Sequence, residues 1–200
     1  MQIEPIFPQA VIGLSKLDVD HDKVLKYIEN IEFEITDASI KGEAVVYVSK
    51  NLNILDEISF LRDEIYNNVK NYLNNIMKLK MDFQFTTSWV TKTNFNGFSQ
   101  KHHHSNSFLS GVYYPLGDKN FKIKFHKQKN TWSAEALEVN NLNASWYSFN
   151  IVDDGVLILF PSDLEHSIGK NLSRKTRYSI AFNTLPLGEI GTGDSKINFK

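Results

Sequence analysis

The chain contains no cysteine. Disulfides, thiolate metal sites and cysteine nucleophiles are therefore excluded, and any metal has to be held by nitrogen and oxygen ligands. It also lacks long apolar runs. The longest, such as Gly155-Val-Leu-Ile-Leu-Phe160, is far below the roughly 20 residues that span a bilayer, and Met1-Gln-Ile-Glu-Pro has no charged and then apolar export pattern. No membrane partner is expected, and a cytoplasmic location is. Nor is there an excess of one charge: 22 Lys and Arg against 23 Asp and Glu give a net charge of −1, so nucleic acid is not an expected partner. No repeat, low-complexity tract or linker interrupts the chain. What is present in quantity is aromatic, with 14 Phe, 8 Tyr and 3 Trp in 200 residues, a composition that suits a β-rich core or an aromatic-lined cavity.

The two halves follow different periodicities. An extended opening, Ile3–Ile12, is confined by its prolines to a sheet edge. Asp20 then reads as the N-cap of a helix to about Asn30, with Val24, Leu25, Tyr27, Ile28 and Ile31 as its apolar face. Glu43–Val48 reads as a strand. From Ile54 to about Lys78, Leu55, Ile58, Leu61, Ile65, Val69, Leu73 and Ile76 recur at steps of three and four, which predicts one long amphipathic helix laid on an apolar surface. Beyond Met81 the pattern becomes short strands: Phe83–Thr91, Phe108–Tyr114, Phe121–His126, Trp146–Ile151, Val156–Phe160 and Arg177–Phe182. Turns at Asn96-Gly97, Pro115-Leu-Gly117, Asp153-Asp-Gly155 and Pro161-Ser162 separate them. The expected fold is mostly β with N-terminal helices (α+β), a barrel or double-sheet jelly roll buttressed by one long and one short helix. One domain is expected: residues 1–80 as helical support, 81–185 as the jelly-roll core and 186–200 as a C-terminal extension.

Two constellations could carry chemistry. In Gln100-Lys-His-His-His-Ser-Asn106 an extended backbone puts His102 and His104 on one face and His103 on the other. That reads either as two imidazoles gripping one metal ion or as a solvated polar loop. The second is Gly155–His166, a buried strand, a Pro-Ser turn and a histidine, followed by Arg177-Tyr-Ser-Ile-Ala-Phe-Asn183. His166 alone reads as an ordinary histidine or as a third ligand. Arg177 reads as a rim residue in a salt bridge or, if it points inward, as the partner of a buried anion, since a guanidinium stays charged and pairs with a carboxylate through two parallel hydrogen bonds.

Taken together, in order and spacing, Ser88-Trp89, Gln100-x-His102-x-His104-x-Asn106, Ser110-Gly-Val-Tyr-Tyr114, Phe160-Pro-Ser-x-x-x-His166 and Arg177-x-Ser179-x-x-Phe182-Asn183 resemble the iron(II)- and 2-oxoglutarate-dependent dioxygenases. Within that family the phage and bacterial oxygenase branch related to prolyl hydroxylases is the most similar. The resemblance covers about Phe83 to Asn183, and the first 80 residues match only in outline. It implies a double-stranded β-helix with iron inside one end, His102 as the first histidine of a histidine-x-carboxylate motif, His166 as the distal histidine, and Arg177 holding the far carboxylate of 2-oxoglutarate. The resemblance further implies that Tyr114 adds a hydrogen bond to that carboxylate and that Ser179, two residues beyond Arg177 on the same face, assists. Trp89, Phe125 and Phe182 fit either cavity walls or core.

The sequence departs from the common pattern at His104, where most relatives outside the branch carry Asp or Glu. Three imidazoles raise the charge of the site by one relative to the two-histidine, one-carboxylate face and change how strongly the ligands donate to iron, so the site reads either as a working iron site or as one that prefers zinc or nickel. His102, His104 and His166 are the expected ligands; a register of His104 with Asn106, or a water in the third place, are the alternatives. The cofactors so implied are Fe(II), 2-oxoglutarate and dioxygen, with ascorbate as a further helper. No catalytic side chain beyond the metal ligands is expected, because the cofactor supplies the reaction and the protein supplies binding, orientation and exclusion of water. The substrate expected from the resemblance is a peptide or protein side chain of prolyl type, ahead of small molecules. The competing readings are a catalytically silent jelly roll that binds a metal or ligand, and a structural phage component. The polar segments Thr93–Ser99 and Gln128–Ala144, the latter with Trp132, are expected at the rim.

Overall fold

In the computed structural model, residues 10–36, 46–127 and 144–199 are described. Helix α1 (His21–Glu29) begins where the sequence places it: the Asp20 side chain accepts the Lys23 N–H at 2.9 Å, so one unpaired amide of the first turn is satisfied. Val24 and Ile28 are fully buried. Strands β1 (Gly13–Lys16), β2 (Phe33–Ile35) and β3 (Val46–Ser49) flank it in sequence. The expected strand Glu43–Val48 overlaps β3, its first three residues lying outside the described residues, as does most of the extended opening.

The long helix expected over Ile54–Lys78 is interrupted. It divides into α2 (Ile54–Glu57), α3 (Ser59–Asn71) and a π-helical turn over Tyr72–Ile76. Ile58, at φ −121° and ψ 67°, ends the first piece and starts the second. Its N–H reaches Leu55 O, and its carbonyl accepts from Leu61 and Arg62. A β-branched residue takes this extended geometry readily, while Ser88 Oγ from the sheet accepts the Leu55 N–H at 2.9 Å and anchors α2. The apolar periodicity is realised as far as Leu73, since Ile54, Leu55, Ile58, Leu61, Ile65, Val69 and Leu73 are all buried, each contributing about 1.5–3 kcal/mol by area, whereas Ile76, at the end of the π-helical turn, is exposed.

The second half supplies β4 (Asp82–Thr93), β5 (Ser99–His102), β6 (Leu109–Tyr114), β7 (Lys122–His126), β8 (Trp146–Asn150), β9 (Val156–Pro161), β10 (His166–Ile168), β11 (Arg177–Ile190) and β12 (Ile197–Phe199). They form a large sheet in the order β1-β9-β6-β11-β4-β3-β2, with β12 paired to β11, and a small sheet in the order β5-β10-β7-β8. This is a jelly roll of two facing open sheets. Strand β11 runs well past the expected Phe182, pairing with β4 as far as Leu187 and then with β12.

Side-chain alternation divides the interior into two layers. Leu157 and Leu159 of β9, Tyr113 of β6 and Tyr178, Ile180 and Phe182 of β11 face the helices. Ile158 and Phe160 of β9 and Val112 and Tyr114 of β6 face the small sheet, where they meet Ile123 and Phe125. That double burial explains why β9 reads as an unbroken apolar run. Gly111 lies between the layers at a crossing that admits no side chain: an added Cβ would stand 2.2 Å from Phe182 Cζ and 2.9 Å from Leu159 Cδ2. Gly111→Ala should therefore lower stability by about 1–3 kcal/mol, read as a fall of several degrees in Tm; an unchanged melting curve would contradict this packing.

Candidate active site

The site is assembled by strand pairing. In the small sheet His102 of β5 lies directly opposite His166 of β10, which in turn lies opposite Phe125 of β7. Residues opposite each other in an antiparallel pair share a face, and the His102 and His166 rings are 4.3 Å apart between centroids. His104, two residues past β5, hangs from the Pro161-Ser162 turn through its N–H, which donates to Ser162 O at 2.9 Å. Its ring is 5.3 Å from His102 and 5.1 Å from His166. One ring nitrogen from each of the three histidines lies within 4.8 Å of the other two, a spread that one metal ion can share. Asn106 instead occupies an exposed turn with φ 57°. His103 points away, near Ser105 Oγ at 3.5 Å.

The two flanking histidines are oriented by main-chain carbonyls. His102 Nδ1 is 2.7 Å from Gln100 O, and His166 Nδ1 is 3.1 Å from Leu164 O. A carbonyl only accepts, so Nδ1 carries the proton in both rings and the Nε2 lone pair is left free. Burial, followed by the neighbouring His102, pushes His166 down to about 3. Burial, and then His102 and His103, pushes His104 down to about 4. Both rings are thus neutral near neutral pH, the form that ligates metal.

The sign of the pH dependence follows. Below the ordinary histidine value the unfolded chain takes up protons that folded His104 and His166 refuse, so stability present above about pH 6.5 is lost as pH falls toward the folded values. The metal-free protein should show a Tm that declines from about pH 7 to about pH 4, with a shallower decline in His166→Ala; equal slopes would remove His166 from the effect.

The three imidazoles line one end of a cleft, open to solvent, whose walls include Trp89, Phe160 and Ile168. Trp89 is 5.6 Å from the His104 ring and Phe160 4.7 Å from His166, so the surroundings are apolar. At the other end are Arg177, Tyr114 and Ser179 with Thr91, Thr93 and Ser99. Arg177 is 2% exposed. Its Nη1 donates to Gly169 O at 3.1 Å and its guanidinium lies 5.6 Å from the Phe121 ring centre, but Nη2 is buried without any hydrogen-bond partner. Burial lowers its pKa and Tyr114 opposes the shift; a guanidinium nonetheless keeps its charge. Tyr114 is fully buried and pushed up to about 12 by desolvation, against the pull of Arg177, so its hydroxyl remains a donor. A buried, half-partnered cation beside a phenol is a receptor for an anion.

Of the residues expected from the sequence, His102, His104, His166, Arg177, Tyr114, Ser179 and Trp89 border this one cleft. Phe182 does not: it packs on Phe85 at 5.4 Å on the helix side, because it alternates with Ala181, which lines the cleft. Phe125 packs behind His166 at 6.1 Å. Thr91 and Thr93 were missed, although the two-residue step from Trp89 points to them. The rim segment Gln128–Ala144, with Trp132, lies outside the described residues except at its end.

A jelly roll with a cluster of imidazoles and a buried arginine in one cleft offers ligands for a metal ion and a partner for an anion, and comparison with known proteins points to a family with that chemistry. Residues 87–183 match the family described as "Putative 2OG-Fe(II) oxygenase". That segment, which carries the whole cleft, is similar to the 2OG-Fe(II) oxygenases. The fold is similar to an oxidoreductase of the 2OG-Fe(II) oxygenase family from Burkholderia pseudomallei, with TM-score 0.59 and 13% identity over 82% of this chain and 77% of that one. It is similar to HygX from Streptomyces hygroscopicus, a structure with nickel, 2-oxoglutarate and hygromycin B bound, with TM-score 0.59 and 8% identity over 88% and 82% of the two chains. A Pseudomonas putida prolyl-4-hydroxylase gives TM-score 0.53 and 11% identity over 86% and 91%. Identities this low show the fold alone. These three are bacterial proteins, so they bear on the bacterial side of the expected phage and bacterial branch and not on its phage side. No curated protein matches the chain. No helix among the described residues is long and apolar enough to cross a membrane.

Proposed function

We propose that His102, His104 and His166 hold one iron(II), that Arg177, Tyr114 and Ser179 hold the distal carboxylate of 2-oxoglutarate, and that the protein hydroxylates an unactivated carbon of a peptide or protein side chain. The observation that carries this reading is the orphaned Nη2 of Arg177, buried in the cleft whose other end is the histidine cluster. Its donor fits a carboxylate oxygen, and a histidine cluster free of thiolates fits iron(II).

Bound iron(II) and 2-oxoglutarate supply the activation of dioxygen, with release of succinate and carbon dioxide and transfer of hydroxyl to the substrate. The chain's own residues position and enclose. Leu164 O and Gln100 O fix two imidazoles with Nε2 toward the shared centre. Arg177 and Tyr114 supply a cation and a hydroxyl donor without moving a proton, since both titrate far from neutrality. Trp89 covers one side of His104 and Phe160 one side of His166, which limits the access of water to those two rings. The preference for a prolyl-type side chain rests on the sequence resemblance and on the fold shared with the prolyl-4-hydroxylase.

A second reading, a silent metal-binding jelly roll, is favoured by one feature, the imidazole of His104 where a carboxylate is usual. Anaerobic loading with iron(II) followed by 2-oxoglutarate separates the two. The oxygenase develops a weak visible absorption band and then, in air, produces succinate slowly without substrate and faster with proline-containing peptides. A protein that binds the metal but shows neither band nor succinate is the silent binder.

A further inference from the structure

We infer that the buried hydrogen-bonded row Ser162, Ser110 and Asn183 is a positioning device for His104, the unusual member of the histidine cluster; the inference rests on the proposed metal site. Ser110 and Ser162 are each 1% exposed and sit in a strongly apolar sheet, where hydroxyls are retained only if satisfied. Ser110 Oγ donates to Asn183 Oδ1 at 2.8 Å. Its one proton is thereby used, so the 2.8 Å contact between Ser110 and Ser162 must be donated by Ser162 Oγ. Asn183 Nδ2 in turn reaches Thr87 Oγ1 at 3.2 Å. The row follows strand register, because Ser110 lies opposite Asn183 and Asn183 opposite Thr87.

Ser162 is therefore gripped at three points. Its side chain is tied to the row, its N–H donates to Phe108 O at 3.2 Å, and its carbonyl accepts the His104 N–H at 2.9 Å. These last two bonds bracket the loop between His104 and Phe108, which contains the left-handed turn at Asn106. His102 and His166 sit on paired strands and have carbonyls behind their rings; His104 lies past the end of β5 and is placed through Ser162. Without the row, the Pro161-Ser162 turn keeps its backbone contacts but loses the side-chain bond that fixes its register on the sheet. His104 then explores a wider range while the other two rings stay in place.

The test is cobalt(II) titration of the full chain, followed by the visible spectrum of the bound ion, in wild type, Ser110→Ala, Ser162→Ala, Ser162→Thr and His104→Ala. Ser110→Ala and Ser162→Ala should each weaken cobalt binding about tenfold, the lower range for residues supporting a ligand, and alter the ligand-field bands. Ser162→Thr, which keeps the hydroxyl, should restore both. In a His104→Ala background, Ser110→Ala should have no further effect on affinity. Thermal melts identify any variant that unfolds, and Ser162→Ala, whose backbone bonds are untouched, serves if Ser110→Ala does. An unchanged affinity and spectrum in the serine variants, or an equal loss with and without His104, overturns the inference alone. A wild type that takes no cobalt, or whose affinity is indifferent to His104→Ala, overturns the proposed metal site and the inference with it.

Discussion

Arg177→Ala should abolish 2-oxoglutarate binding while leaving the metal in place. Removing one member of a buried, hydrogen-bonded charge pair costs about 2–5 kcal/mol, or roughly 30- to 4,000-fold in affinity, and no other cation borders the cleft among the described residues. The accompanying effect on stability distinguishes this from general damage. An arginine serving as a structural ion pair destabilises the protein when it is removed. Arg177 has only one main-chain acceptor and an unpartnered Nη2, so its desolvation is offset only when the anion arrives. In the absence of 2-oxoglutarate, Arg177→Met should therefore melt at the same temperature as wild type or higher, and it should lose the rise in Tm that 2-oxoglutarate gives the metal-loaded wild type. Calorimetric titration and thermal melts, each with and without 2-oxoglutarate, measure both halves. A large loss of stability with affinity retained would make Arg177 a scaffold residue.

His166→Ala should be the most damaging change at the metal end. His166 is the most buried of the three histidines, at 4% exposure, and its ring is held by Leu164 O behind and by Phe160 and Phe125 at its sides. Of the three proposed ligands it needs least ordering when metal binds, and its loss should weaken iron(II) or cobalt(II) affinity by more than the roughly 10–100-fold expected for a supporting residue. Succinate production without substrate should fall to background in the same variant. His102 is exposed and opposite His166, so His102→Ala leaves water free to fill the vacated position and should cost less. The ratio of the two losses, measured by competition with a chelating dye, checks the ranking.

The cleft was legible from the sequence where strand alternation reaches it. Arg177 and Ser179 are two residues apart on an otherwise apolar strand, and the pattern places them on the face away from Tyr178 and Ile180, as found. The same parity excludes Phe182 from the cleft. The apolar run of β9 and the N-cap at Asp20 were equally direct, because each rests on local chemistry. What could not be read is nonlocal. β5 and β10 are four and three residues long and polar enough to carry no strand signal, yet their pairing brings His102 opposite His166 across more than sixty residues of chain. The interruption at Ile58 depends on Ser88 Oγ, a partner supplied by another element. The support of His104 depends on Ser110 and Asn183, whose side chains meet only once β6 and β11 have paired.

A metal at the histidines and an anion at Arg177 should bind in the same cleft as one unit. Anaerobic calorimetric titration of 2-oxoglutarate into the protein, first metal-free and then loaded with iron(II) or cobalt(II), tests it most directly. The expected result is one 2-oxoglutarate per chain, bound at least about tenfold more tightly with metal than without, a coupling of about 1.4 kcal/mol or more. Equal affinity in the two states, or no binding in either, would contradict it.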